Sequence, residues 1–500
     1  MDHSEWDRRD QPVEILHPGS PAEWRTAMTP YFGDARSNAP INRCLDILMA
    51  NGATTLVIEK PYFDPDYRSE FSAYFSQLHD PVSSICHRLH FFGQPVEEHE
   101  IGDLEEDRDY LGYIVMRPVP LSPVSRAMLK PPPEIIDSIR ASVTEEVSFY
   151  GNRLTVKGFP FTQQDTQLCR CAHSAAWMCH YAAYLRGDVA RVPRAEFATQ
   201  SNYSLNTSRM VPSSGLTVTQ LSDLFRSFGL PAVFYMMGEL PDDRLHWQPP
   251  PAQRPPPDAT GRVPVAGAWD HGVIPILCRY LNSGLPVLIG THDHAFVICG
   301  YRRSPTTPGW IDFYRNDDQR GPYVVVPDVL NDSGYTPWRT LHAPVCGRIW
   351  LSPEAAEVKG GQVLEAASAN LAGPISKMYG AGVEPLGTLI ANNKLALKTY
   401  VIRTNEFKMN LIGRGLPTDL VRAYRKSPMS RYIVVVEAID RDLRNAGQAC
   451  VIGQAIFDST SADSLPNLLG FDVHGVSWPT FGNAEIHVMG PYRSGAVGPS

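Results

Sequence analysis

Three segments of this 500-residue chain carry side chains able to act together. The first is FPFTQQDTQLCRCAHSAAWMCHYAAYL, from Phe159 to Leu185. Cys169 stands just before a predicted helix. A thiol there meets the positive end of the helix dipole and backbone N–H groups that lack helical partners, and both favour thiolate over thiol. The Cys169 backbone N–H is available to a developing oxyanion, and Gln163, Gln164 or Gln167 can supply a second donor. The second segment is LNSGLPVLIGTHDHAFVICGYRR, from Leu281 to Arg303. His294 opens an apolar strand directly after a polar turn, and an imidazole at a strand edge is held firmly, as a general base requires. The third is WIDFYRNDDQRGPYVVV, from Trp310 to Val326. Asn316, Asp317 and Asp318 fall at the end of a strand, where one of them can hold the second imidazole nitrogen and set its tautomer.

Nucleophile, base and orienter thus follow in order, each at the end of an element. Cys171 is an alternate nucleophile, His292 an alternate base, and Asn316 and Gln164 are alternates for the orienting and oxyanion roles. Cys179, inside the helix, reads as core. Zinc is the competing chemistry, because Cys169, Cys171, His173, Cys179 and His180 lie close in sequence and His292 and His294 form an H-x-H pair. Structural zinc sites favour C-x2-4-C knuckles, and C-x-C does not easily place both thiolates on one tetrahedral ion. No metal and no cofactor is expected. His87 and His90 in CHRLHFF read as an ordinary half-buried edge of a strand or helix, not ligands.

The elements that must position these side chains are legible as apolar runs between turn signals. HSAAWMCHYAAYLRG, TVTQLSDLFRSFG and GVIPILCRYLNSG read as helices, the last two with glycine stops. PAVFYMM, LPVLIGT, HAFVICGYR, WIDFYR and YVVVPDV read as strands. Before them, TTLVIEK and YLGYIVMRPV read as buried strands, SEFSAYFSQL has helical spacing, and the triple proline at Pro131–Pro133 precedes an expected helix over Glu134 to Glu146. The stretch from Leu245 to Pro264 reads as an inserted proline-rich loop. After them come the strands ALKTYVIRTN, RYIVVVEAID and ACVIGQAIFD, with a short helix at LPTDLVRAYRKS and Thr418 as its expected N-cap.

The central pattern resembles the papain-like cysteine peptidase superfamily, and more narrowly its bacterial branch of double-glycine-leader peptidases of bacteriocin exporters. That branch shows Gln, then Asp two later, then Cys six after the Gln, at the head of an Ala-rich helix ending in Tyr and Gly. Gln163, Asp165 and Cys169 match, followed by His173 to Gly187. SFGLPAVFYMM, SGLPVLIGTHDHAFVICGY and Asp317 to Gly321 match the later elements. The resemblance implies Cys169 as nucleophile, Gln163 in the oxyanion hole, His294 as base and Asp317 as orienter. Where the family has Gly-Pro after the Cys, this chain has Arg170 and Cys171. Arg170 is expected to narrow the cleft or bind a substrate carboxylate. No exporter membrane or ATPase segment is matched.

Composition sets the outer limits. A formal net charge of −8 and no basic run argue against nucleic acid or an anionic membrane as an obligatory partner. No apolar run of about 18 residues exists, so no membrane span is expected. The N-terminal sequence has no apolar signal core. Nine scattered cysteines read as reduced thiols of a cytoplasmic protein. The length implies two or three domains. The expected fold class is α+β, with a central papain-like domain at 151–353 whose Cys-bearing helix packs on an antiparallel sheet carrying the His. Residues 1–38 are expected as a loose lead-in, 39–150 as an αβ region, and 354–500 as a β-rich region that could pair with 39–150. The expected activity is cysteine-dependent hydrolysis of a peptide or isopeptide bond in a peptide or protein substrate, in a bacterial setting. An inactive papain-fold binding protein and a transglutaminase-like acyl transferase are the alternatives. The sequence says nothing of oligomeric state.

Overall fold

The structure is a computed structural model that describes residues 13–32, 38–104, 109–119, 121–200, 213, 215–236, 273–306, 311–326, 338–379, 384, 386–392, 394–445, 448, 450–462, 467–479 and 487–488. The architecture is α+β, built from helices and antiparallel sheets. The proline-rich stretch at 245–264 lies outside the described residues. Two compact units form. The first draws on 1–237, 285–302 and 311–346, and the second on 238–284, 303–310 and 347–500.

The first unit begins with β1 (Val13–Leu16), α1 (Pro21–Phe32) and α2 (Ala39–Ala50). Residues 13–32, expected as a loose lead-in, are therefore ordered. β1 pairs antiparallel with β2 (Thr55–Tyr62), and α1 buries Trp24 and Met28 in the core. The apolar side chains outweighed the Pro, Asp and Arg content around them. α3 (Pro65–Ala73) is shorter than the helical spacing of SEFSAYFSQL suggested, and its last part becomes a 3-10 turn at Phe75–Gln77. β3 (Cys86–Phe92), β4 (Tyr110–Met116) and β5 (Val124–Leu129) complete a five-stranded antiparallel sheet in the order β1-β2-β3-β4-β5. His90 lies in fully buried β3, with Nδ1 2.8 Å from the Tyr110 hydroxyl and Nε2 3.4 Å from Glu59.

The helix expected over Glu134 to Glu146 is absent. A 3-10 turn at Ile136–Ser138 is followed by β6 (Val143–Phe149), which forms a hairpin with β7 (Asn152–Gly158). The reason is periodicity: β6 alternates buried and exposed residues throughout, the signature of a strand with one face covered. Glu145 points inward because Tyr113 and Tyr181 donate their hydroxyls to it at 2.9 and 2.6 Å.

α4 (Cys171–Leu185) is apolar on nearly all sides and buried from Ala172 to Ala183, as befits a central helix. α5 (Arg194–Gln200) and α6 (Val218–Ser227) follow. Thr217 caps α6 with a reciprocal Thr217–Gln220 capping box. The second sheet holds β8 (Ala232–Met236), β9 (Val287–Gly290), β10 (Ala295–Arg303), β11 (Ile311–Asp317), β12 (Gly321–Val326) and β13 (Thr340–Pro344), in the order β12-β11-β10-β9-β13-β8. Its described pairings are antiparallel.

The second unit takes α7 (Val273–Asn282), the long α8 (Pro353–Tyr379) and a six-stranded antiparallel meander running in sequence order from Leu395–Arg403 to His487–Val488. Arg279 of α7 and Glu357 of α8 form a two-pronged ion pair at 2.6 and 2.9 Å. The helix Thr418–Lys426 starts on the expected cap residue itself. Pro417 takes the N-cap position, and no side chain bonds there. Among the described residues no helix is long and apolar enough to cross a membrane.

Candidate active site

The loop before α4 is built around one carboxylate. Asp165 accepts the backbone N–H groups of Gln167, Leu168 and Cys169 at 2.7 to 3.1 Å, while its own N–H donates to the Cys169 carbonyl at 3.1 Å. The loop therefore closes on Cys169, and helical geometry begins only at Cys171. His173 assists from inside the helix: Nδ1 accepts the Arg170 N–H at 3.2 Å. Burial holds the His173 pKa down at about 4, against the attraction of Asp165, so the ring is neutral and free to accept.

A buried ion cluster supports this loop from below. Glu70 is gripped by Arg117 at 2.7 Å and Arg194 at 2.9 Å, all three out of water. Both guanidiniums also donate to the Gln163 carbonyl, at 2.9 and 2.6 Å. The segment leading to Asp165 is thus tied to two helices.

Cys169 itself is fully buried. Its thiol packs with Leu168, Ala195 and Ala198 and approaches the Arg194 carbonyl at 3.8 Å. Burial, with the nearby Asp165 carboxylate adding to it, pushes this thiol well above the ordinary range. Cys171 is different. It is the first residue of α4, is only partly buried, and its side chain acts on His294, helping to hold that ring charged. The structure therefore brings His294 to Cys171 and leaves Cys169 in the loop's core.

His294 is positioned by the β9–β10 hairpin, in which Ala295 faces Gly290. Thr291 clamps the turn: its N–H and hydroxyl both reach the His294 carbonyl, at 2.9 and 3.1 Å, and its oxygen receives the His294 N–H at 3.1 Å. His292 is exposed in that turn. The His294 Nε2 lies 3.1 Å from Asp317 Oδ1 and 3.6 Å from Asp318 Oδ1. Nδ1, on the other side of the ring, meets the Gln319 amide nitrogen at 3.3 Å. Burial works against the charged ring, but the bonds to Asp317 and Cys171 and the charges of Asp318 and Asp317 outweigh it and raise the pKa to about 10. Desolvation would raise Asp317, yet His294, Arg315 and the Gln319 N–H hold its carboxyl below the usual value. Burial, with the Asp317 charge adding to it and against the pull of His294, lifts the Asp318 pKa to about 7.

The β11–β12 turn places these carboxylates. Asp317 pairs across with Gly321, and the register shifts between Arg315 and Asp317. Gly321 has a φ of +108°, and a Cβ there would come within 2.6 Å of the Arg43 side chain. Asn316 faces the other way. It receives the Tyr323 N–H at 2.9 Å and donates to the Pro160 carbonyl at 3.0 Å. Adjacent strand residues point to opposite faces, so Asn316 and Asp317 could not share one role.

The remaining expected site residues are placed as follows. Arg170 turns its Nε to the Ser213 carbonyl at 2.6 Å. The Gln163 amide is engaged with Asn38 and the Val124 N–H, both at 3.4 Å. Gln164 is half-buried, and its side chain makes no hydrogen bond among the described residues. The Asp165 knot, the Thr291 clamp and the Gln319 contact were not anticipated. Of these, the D-x-Q-x-C spacing and a threonine three before the histidine were the available signals.

No family model matches the chain, and no curated protein does. Among solved structures, the chain is similar to a double-glycine-motif protease from an AMS/PCAT transporter in complex with the leader peptide. That likeness is 16% identical with a TM-score of 0.21, covering 37% of this chain and 92% of that one. It is also similar to UfSP from C. elegans, at 15% identity and a TM-score of 0.21, covering 38% of this chain and only 33% of that one. Likeness of this order leaves function to be read from the site's own geometry.

Proposed function

We propose that the chain is a cysteine-dependent hydrolase of peptide or isopeptide bonds, with Cys171 as nucleophile, His294 as base and Asp317 as orienter. One observation carries this reading: His294 is held by the Asp317 carboxylate and acted on by the Cys171 side chain, which stands on the first turn of a buried helix. The first-turn N–H groups have no carbonyl four residues back to bond, so they are available to negative charge at the sulfur or on a carbonyl oxygen.

The balance of the proposed step is simple. The imidazole takes the Cys171 proton, the thiolate attacks the substrate carbonyl, and His294 then gives the proton to the leaving amine. Water hydrolyses the thioester. Because Nε2 is committed to Asp317, proton exchange with the thiol runs through Nδ1. We assign the second oxyanion donor to Gln164, whose amide is free among the described residues, in place of the engaged Gln163. The role first read for Cys169 moves to Cys171 because a nucleophile must reach both base and substrate, and the Cys169 thiol is enclosed.

The test is residue-resolved alkylation of the native protein by mass spectrometry, in wild type and His294→Ala. Cys171 should react fastest and slow at least tenfold in the variant, while Cys169 stays protected in both. A Cys171 that is indifferent to His294 would end the reading.

A further inference from the structure

We infer that His294, Asp317 and Asp318 form a binding site for one divalent cation of the zinc type, and that an occupied site withdraws His294 from its role at Cys171. The consequence for activity rests on the reading above; the binding itself does not.

The geometry comes first. One nitrogen and two carboxylate oxygens from these residues lie within 4.8 Å of one another, all buried. A tetrahedral zinc with bonds of about 2.0–2.2 Å separates neighbouring ligand atoms by roughly 3.4 Å. The two distances from Nε2, 3.1 Å to Asp317 and 3.6 Å to Asp318, lie on either side of that value. The set joins an imidazole with two hard carboxylates, a donor combination zinc accepts.

The independent observation is Asp318. Its side chain is 1% exposed, and neither carboxylate oxygen has a hydrogen-bond partner among the described residues. Its near neighbour is the imidazole edge at 3.6 Å. Buried carboxylates left this bare are costly and call for a ligand, ion or proton. Arg315 Nε lies 3.5 Å from the far oxygen of Asp317, and Arg194 acts on Asp318 through its charge. With a neutral ring, the two carboxylates balance the two charges of the ion. The other cluster of this kind, Glu70, Asp165 and Cys169, is already neutralised by Arg117 and Arg194 and by backbone donors, so it has no such vacancy of charge.

The cation takes the Nε2 lone pair and the Asp318 carboxylate, so an occupied site leaves His294 unable to serve as base to Cys171.

The experiment uses the full chain stripped of metal, titrated with Co²⁺ alone and followed by its visible absorption, with Zn²⁺ as displacer and equilibrium dialysis for stoichiometry. One ion per chain is expected. Asp318→Asn should weaken binding at least tenfold, and Cys171→Ser should bind as wild type does. Saturating Zn²⁺ should slow Cys171 alkylation in wild type but not in Asp318→Asn. Absence of binding overturns the inference, as does equal binding in Asp318→Asn, or binding lost in Cys171→Ser. An alkylation pattern indifferent to His294, with metal binding as expected, would instead overturn the hydrolase reading alone.

Discussion

Cys169 and Cys171 are two residues apart and occupy opposite environments. The first is sealed beneath its own loop against the Arg194 carbonyl, and the second opens a helix and acts on His294. The Asp165 carboxylate makes the difference, because it gathers the amides up to Cys169 and delays the helix until Cys171.

That dependence predicts the effect of Asp165→Ala. Three backbone N–H groups would lose a charged acceptor, each such bond being worth about 1.5–3 kcal/mol. The variant should be destabilised by several kcal/mol in urea unfolding. In native conditions Cys169 should become open to alkylation. A Cys169 that stays protected would show that its enclosure comes from packing alone.

Asp317→Asn keeps the shape of the side chain but removes the charge that orients and supports the imidazolium. Hydrolysis of a substrate found by screening should fall roughly a hundredfold or more, in line with loss of a positioned acid–base group. The Cys171 alkylation rate should fall with it. Unchanged rates in both assays would remove Asp317 from the site.

His294 makes stability depend on alkaline pH. Its folded pKa of about 10 lies above the ordinary value of 6.5, so the fold binds this proton more tightly than the unfolded chain does. The resulting stability is complete below about pH 6.5 and is lost as pH rises through about 10. The melting temperature of wild type relative to His294→Gln should therefore decline across that window. A constant difference would mean the imidazole is not charged in the fold.

Asp318 acts in the same direction at lower pH. Its carboxyl is raised to about 7, so the stability tied to its proton is full below about pH 4 and lost as pH rises through about 7. Asp318→Asn, neutral throughout, should melt above metal-free wild type at pH ~8 and near it at pH ~4. The reverse order would show that the ionised carboxylate is well supported.

Glu70→Ala leaves Arg117 and Arg194 buried without their shared anion. Removing one partner of a buried ion cluster costs about 3–5 kcal/mol. Chemical denaturation should show a loss of that size, with Cys171 reactivity reduced because the Gln163 carbonyl loses its fixed donors. A loss below about 1 kcal/mol would place the cluster among exposed ion pairs in strength.

Much of this was legible in the chain itself. LPVLIGT, HAFVICGYR, WIDFYR and YVVVPDV became β9 to β12 because short apolar runs bounded by polar turns leave few alternatives. Those boundaries also put His294 and Asp317 at the ends of neighbouring strands, where they meet at 3.1 Å. The choice between two cysteines was less legible. Both stand at the helix start, and the dipole argument does not separate them. Only the bonding of Asp165, a side-chain-to-backbone pattern, moves the first helical turn by two residues. The helix expected at Glu134 to Glu146 failed for a similar reason. The alternation in VTEEVSF was obscured by Glu145, a charged residue on the buried face whose tyrosine partners are distant in sequence.

The course of the backbone has a consequence for biosynthesis. The chain supplies the first compact unit in three pieces, with stretches belonging to the second between them. The helix of Cys171 leaves the ribosome well before the hairpin of His294 and the turn of Asp317, and part of the other unit emerges in between. A nascent chain halted after α4 would hold Cys171 without His294 or Asp317, so the proposed activity would arise only once residues 311–346 have joined their sheet.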